Sequence, residues 1–187
     1  PSVGETIVTI VRDHIDYRKQ IFKLAGSDLR RTYRASALGW SWAIIKPLVT
    51  IFVYWFAFAI GLRRGGDIEG YPFVLWLISG IVPWFYMSEM LTLGTECILR
   101  NRYLVTKMKY PVSTIPTFTS ISKFSVHLIL MMITILIFVI TGNELTVYLV
   151  QLPFYMLCNF LFFTGWAMFA APIAAISTDF SNLVKSF

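Results

Sequence analysis

Four long apolar runs alternate with short polar links along the chain. They cover about residues 42–62, 71–95, 117–140 and 147–176. A helix needs about 20 mostly apolar residues to cross a bilayer, and a helix satisfies its own backbone there. The pattern therefore predicts an all-α integral membrane protein, a polytopic helical bundle with four spans in this sequence. Ahead of the first run, Ile7, Ile10, Val11, Ile21 and Phe22 recur at helical spacing within residues 5–25, with Ile15 nearby. Glu5, Arg12, Asp16, Lys19 and Lys23 share the other side. Such an amphipathic helix lies flat at the headgroups or packs on a partner. Gly26 reads as its stop and Ser27 or Asp28 as the cap of a following helix over about 29–37. The division expected is a cytoplasmic region 1–41 and a transmembrane region 42–187.

Within the link 96–116, Leu104, Val105 and Met108 alternate with Arg102, Lys107 and Lys109. This predicts a short helix ending before Pro111. Its apolar residues amid charge suit a docking surface or a solvated loop. Pro47, Pro83, Pro153 and Pro172 fall within or at the edge of apolar runs and are candidate kinks.

Composition excludes a soluble globule. Hydrophobic residues make up 57% of the chain and charged residues 14%, with a mean hydropathy of +0.68, against about 25% charge in soluble proteins. The net charge is +6, and its placement sets orientation. Residues 1–41 and 96–116 are basic, link 141–146 has no base, and Arg63 and Arg64 are offset by Asp67 and Glu69. The positive-inside rule places the N-terminus, residues 96–116 and the C-terminus in the cytoplasm of a multi-pass plasma-membrane protein. Flanking apolar spans, the charge points to membrane lipid or an anionic cargo, with no nucleic acid expected.

Arg30, Arg31 and Arg34, with Tyr33, stand just before the first span. Guanidinium forks suit phosphate, so the cluster reads either as generic headgroup contact or as a site for a phosphorylated lipid carrier. Lys46 and Glu89 lie at similar depth near one end of their spans. They would pair or snorkel separately. Trp40, Trp42, Tyr71, Trp76, Trp84 and Trp166 fit an interfacial belt. Cys97 and Cys158 form no disulfide framework. No metal-ligand spacing, catalytic constellation or phosphate-binding loop is present, so no cofactor is expected on this chain. ATP-driven work would need a separate ATPase.

Several runs carry a family resemblance. They are Arg34-Ala-Ser-Ala-Leu-Gly-Trp-Ser-Trp42 with Lys46-Pro47-Leu48, then Val53-Tyr54-Trp55-Phe56 and Gly70-Tyr-Pro-Phe-Val-Leu-Trp76. Gly80-Ile-Val-Pro-Trp-Phe-Tyr86 and Tyr103-Leu-Val-Thr-Lys-Met-Lys-Tyr-Pro111 complete the set. In their order the chain resembles ABC-2-type exporters of surface polysaccharides, most like the teichoic-acid translocation permeases (TagG/TarG type). Thr178-Asp179-Phe180 stands where the family often has Arg-Asp-Phe.

The resemblance implies six spans in a full subunit, so two C-terminal spans are expected beyond this sequence. It implies an N-terminal interface helix and a gate helix over 28–39, with Arg30, Arg31, Tyr33 and Arg34 beside a pyrophosphate entry. It makes 100–111 a coupling helix, with Arg102, Leu104, Lys107, Met108, Lys109 and Tyr110 on the ATPase. Two permease chains would join two ATPase chains that carry ATP and Mg. The cargo would be wall teichoic acid on undecaprenyl pyrophosphate, which points to a Gram-positive source. The alternative is another lipid-linked polysaccharide, of O-antigen or capsule type, or a drug. Tyr33, Tyr54, Trp55, Trp84, Phe85 and Tyr86 are the candidate path liners, with packing or an interfacial belt as the alternative. A membrane enzyme and a passive scaffold are the rival classes.

Overall fold

A computed structural model describes residues 2–33, 37–61, 68, 70–108, 110–143 and 146–186. The elements are α1 (Val3–Asp16), α2 (Arg18–Tyr33), α3 (Trp42–Trp55), α4 (Phe73–Glu89), α5 (Cys97–Arg100), α6 (Arg102–Met108), α7 (Ile115–Ile140), α8 (Leu152–Ile176) and α9 (Thr178–Lys185). Among the described residues there is no strand beyond one isolated bridge, Ile68 with Tyr71. Four stretches are long and apolar enough to cross a membrane: Gly39–Phe58, Phe73–Gly94, Val112–Ile140 and Val147–Ile176. They correspond to α3, α4, α7 and α8 with their flanking turns.

Ser2 and Glu5 start α1 with a capping box. The Glu5 N–H donates to Ser2 Oγ at 3.3 Å, and the Ser2 N–H donates to Glu5 Oε2 at 2.8 Å. The first helix does not run to Gly26. It breaks at Tyr17, and α2 continues straight through Gly26. Packing outweighs the glycine signal here. Ile21 and Ala25 of α2 are buried with Cys97, Leu104, Ile115, Phe118 and Ala171. That contact holds the helix together across the glycine and makes this face of α2 protein core rather than lipid surface. The apolar residues Ile7, Val8, Val11, Ile15 and Phe22 remain exposed, as an interfacial helix requires. Two long-range bonds pin α1 to the start of α7. Ser113 Oγ donates to Asp13 Oδ2 at 2.8 Å, and His14 Nε2 meets Thr117 Oγ1 at 2.8 Å.

The prolines divide. Pro47, Pro83 and Pro172 lie inside helices, whereas Pro153 occupies the first turn of α8, where no backbone bond is lost. Two π-helical segments extend the spans, Phe56–Gly61 after α3 and Met90–Gly94 after α4. The far end of α7 closes with Gly142 at φ 74°. The Gly142 N–H donates to the Val139 carbonyl and the Asn143 N–H to the Phe138 carbonyl, both at 3.1 Å, a Schellman stop.

The bundle packs around α4, α7 and α8. On α8, Ala167, Ala170, Ala171 and Ala174 are buried, and small residues let helices approach closely where lipid offers no hydrophobic drive. Gly94 sits against this stripe. A Cβ there would lie 3.2 Å from Ala167 Cβ and 3.1 Å from Met90 Cε. Polar links cross the same interface. Tyr86 Oη and Ser120 Oγ are 2.9 Å apart, Ser120 Oγ and Thr164 Oγ1 2.6 Å, and Trp166 Nε1 donates to Thr95 Oγ1 at 3.1 Å. By contrast, only Ala43 and Ile51 of α3 are buried.

Candidate functional site

Between α3 and α4 the bundle opens into a groove of about 670 Å³. Two stripes at four-residue steps line it: Thr50, Tyr54 and Phe58 on one wall, Trp76, Gly80, Trp84 and Ser88 on the other. Four residues is just over one helical turn, so each stripe faces one way. Phe85, Leu77, Ile81 and Ser79 complete the lining. Nothing stands within 4 Å of the place a Cβ would take at Gly80, which leaves space between the two tryptophans. The serine and threonine hydroxyl hydrogens are spent locally. Ser79 donates to the Trp76 carbonyl at 2.7 Å, Ser88 to that of Phe85 at 3.1 Å, and Thr50 to that of Lys46 at 3.0 Å. Their oxygens remain as acceptors. The groove thus offers apolar faces and hydroxyl acceptors without a charge.

The expected path liners separate on this geometry. Tyr54, Trp84 and Phe85 line the groove. Tyr86 faces the opposite side, 2% exposed, bonded to Ser120 and packed on Phe124, His127 and Phe163. A helix turns about 100° per residue, so Tyr86, two residues beyond Trp84, stands about 200° round the helix from it. Trp55 is half-buried against Phe52, off the groove. Trp76 and Phe58, missed as liners, were legible in the four-residue stripes. The side chain of Tyr33 and all of Arg34 lie outside the described residues, as does Lys109.

Glu89 pairs with Lys123 at 3.6 Å, not with Lys46. Lys46 lines the same small cleft but stands beyond ion-pair distance. The α7 lysine reaches back to α4, and its 5% exposure explains why Glu89 is drawn to it.

At the basic end, α5 and α6 form a corner. Leu104 is 2% exposed in the cluster with Ile21 and Ala25, so it anchors α6 and offers nothing to a partner. Tyr110 is half-buried, edge-on to Tyr17 with centroids 5.5 Å apart, and burial pushes its phenol up. Arg102, Lys107 and Met108 are exposed, together with Tyr103 and Thr106. Tyr103 and Lys107, four apart, share that outer face. Arg31 ties α2 to this corner. Its guanidinium donates to Asn101 Oδ1 at 3.2 Å and meets Asp28 at 3.5 Å, while Asn101 Nδ2 donates to the Cys97 carbonyl at 2.9 Å. Arg30 folds back, its Nε donating to the Gly26 carbonyl at 3.2 Å.

Helix α9 docks under the end of α4 through Glu96, which accepts from Ser181 Oγ at 2.9 Å and Lys185 Nζ at 2.5 Å. Burial works to raise the Glu96 carboxyl, but these two donors outweigh it and hold it below the usual range. Burial pushes the Cys97 thiol up to about 12, so it is an inert core residue. Among the described residues, no three His, Cys, Asp or Glu side chains gather to hold a metal.

Four helices long and apolar enough to cross a membrane, packed with an amphipathic N-terminal pair, define an all-helical polytopic membrane protein. The sequence profile of the ABC-2 type transporter family matches residues 19–187, and the chain belongs to that family. It is 26% identical over 183 residues to the O-antigen export system permease protein RfbA of Myxococcus xanthus, covering 96% of this chain and 68% of that protein. Two proteins of the same description from Klebsiella pneumoniae are 28% and 27% identical over 93 residues, half of this chain and 34% of theirs.

Proposed function

We propose that this chain is the permease subunit of an ATP-driven exporter of a lipid-linked surface polysaccharide. The groove between α3 and α4 carries the reading. A glycan cannot cross hydrocarbon unaided, because its hydroxyls would lose water without replacement. Tyr54, Trp76, Trp84 and Phe85 offer stacking faces, and Thr50, Ser79 and Ser88 offer acceptors, so a sugar chain meets partners along the way. Low affinity is the useful condition, since a tightly held polymer would not move.

The cargo class favoured is the O-antigen type, because the curated relatives are O-antigen export permeases. The teichoic-acid cargo lacks that support, and the Gram-positive source rested on it alone. The basic end faces the cytoplasm by its charge. There the outer face of α6, with Arg102, Tyr103, Lys107 and Met108, docks an ABC ATPase, and two permeases and two ATPases form the transporter. Leu104 packs on Ile21 and Ala25, and Arg31 holds Asn101. A push on α6 therefore moves α2 with it, a rigid-body switch beside the lipid entry. The exposed face of α3 is where a second copy would pack. Depletion of the chain tests the reading: lipid-linked polysaccharide should accumulate at the inner leaflet. If only drug sensitivity changes, the cargo is a small molecule.

A further inference from the structure

One cleft is left unused by the passage. It lies between α3, α4 and α7, has a volume of about 60 Å³, and is lined by Trp42, Lys46, Phe85, Glu89, Lys123 and His127 among others. Phe85 also lines the aromatic groove, so the two spaces adjoin. Two ammonium groups face one carboxylate, and the only ion pair among these three is a single long contact, Lys123 to Glu89 at 3.6 Å. Lys123 is 5% exposed and cannot turn to water, whereas the Glu89 side chain is 44% exposed and can. His127 is 3% exposed and its Nδ1 has no hydrogen-bond partner. A buried polar atom without a partner costs free energy unless water or another group reaches it.

We propose that this cleft holds the phosphate of a lipid headgroup, bridging Lys46 and Lys123 in place of Glu89. Its size fits a cluster of a few waters, room for a phosphate group. Its depth fits as well. Lys46 stands about 10 Å inside the Gly39 end of its span and Glu89 about 8 Å inside the Gly94 end of its own, at 1.5 Å per residue. Those two stand close to the headgroup boundary, and Lys123, about 16 Å inside the Val112 end of its span, would hold the phosphate from beneath. Without ligand, Glu89 neutralises Lys123. With ligand, the phosphate oxygens take both ammoniums and Glu89 swings to the exposed side. The site is separate from the α2 arginines. It requires that the chain spans the membrane and does not depend on the polysaccharide reading.

The two charges predict opposite signs. Lipid retention is measured by native mass spectrometry of the full-length transporter released from nanodiscs that contain phosphatidylglycerol, undecaprenyl pyrophosphate or undecaprenol. Lys46→Gln should weaken retention of a phosphate lipid about tenfold, Lys46→Arg should restore it, and Glu89→Gln should strengthen it several-fold. Undecaprenol should not respond. A response to phosphatidylglycerol assigns the site to ordinary membrane lipid, and a response to undecaprenyl pyrophosphate alone assigns it to a carrier. Lys46 is exposed, so its variants keep the fold. If Glu89→Gln weakens retention as Lys46→Gln does, or neither changes it, the trio is a structural ion pair and the proposal fails. Continued polysaccharide export in those variants would then leave the export reading standing.

Discussion

The two faces of α4 share one helix and do opposite jobs. Toward α7 and α8, Val82 and Tyr86, with Met90 and Gly94 of the π-helical segment that continues the helix, are nearly sealed, joined by a hydroxyl chain and closed on alanines. Toward α3, Trp76 and Trp84 are more than half exposed, with a glycine between them. The first face is closed by packing, and the second stands open. The difference is one of packing, since both faces are apolar and aromatic.

Substitutions on each face should therefore fail differently. The largest effect belongs to Gly94→Leu. Its Cβ would meet Ala167 and Met90 at 3.1–3.2 Å, and overpacking of this kind costs about 1–3 kcal/mol. Thermal unfolding in detergent should shift down with export lost alongside it. Next comes Trp84→Ala, which should leave the unfolding temperature unchanged yet slow export about tenfold, or ~1.4 kcal/mol in the barrier. A matching fall in stability would place Trp84 in the packing instead. Tyr86→Phe removes one end of the Tyr86–Ser120–Thr164 chain. Such bonds average about 0.6 kcal/mol in membrane helices, so a small loss of stability with normal export is expected.

The smallest effect depends on pH. The Glu96 carboxyl sits below its ordinary value of 4.5 when α9 is docked. Docking is thus favoured above that value, and the gain disappears as pH falls through the depressed one. A spin label at Ser186 should stay immobile near neutrality and loosen only in acid. Glu96→Gln should loosen it at every pH.

Much of this architecture was legible in the chain. The apolar runs mark the four crossing helices because lipid demands about 20 such residues and tolerates few charges. Gly26 misled, because a helix stop is a weak local signal and Ile21 and Ala25 bury against α7 regardless. The Glu89 partner was hidden for a similar reason. Lys46 matches it in depth, but Lys123 lies deeper along α7 and reaches it only through the way α4 and α7 pack. Runs of adjacent aromatics were read as one lining, although helical rotation splits Trp84 from Tyr86. The four-residue stripes through Tyr54 and Trp84 carried that information and needed only the period to be applied.

Site-specific photo-crosslinking during active export tests the central claim most directly. A photoreactive residue at Tyr54 or Trp84, in the groove, should capture polysaccharide, while one at Phe162, 68% exposed on α8, should capture lipid alone. Polysaccharide adducts at Phe162 equal to those in the groove, or none in the groove while export proceeds, would contradict the account.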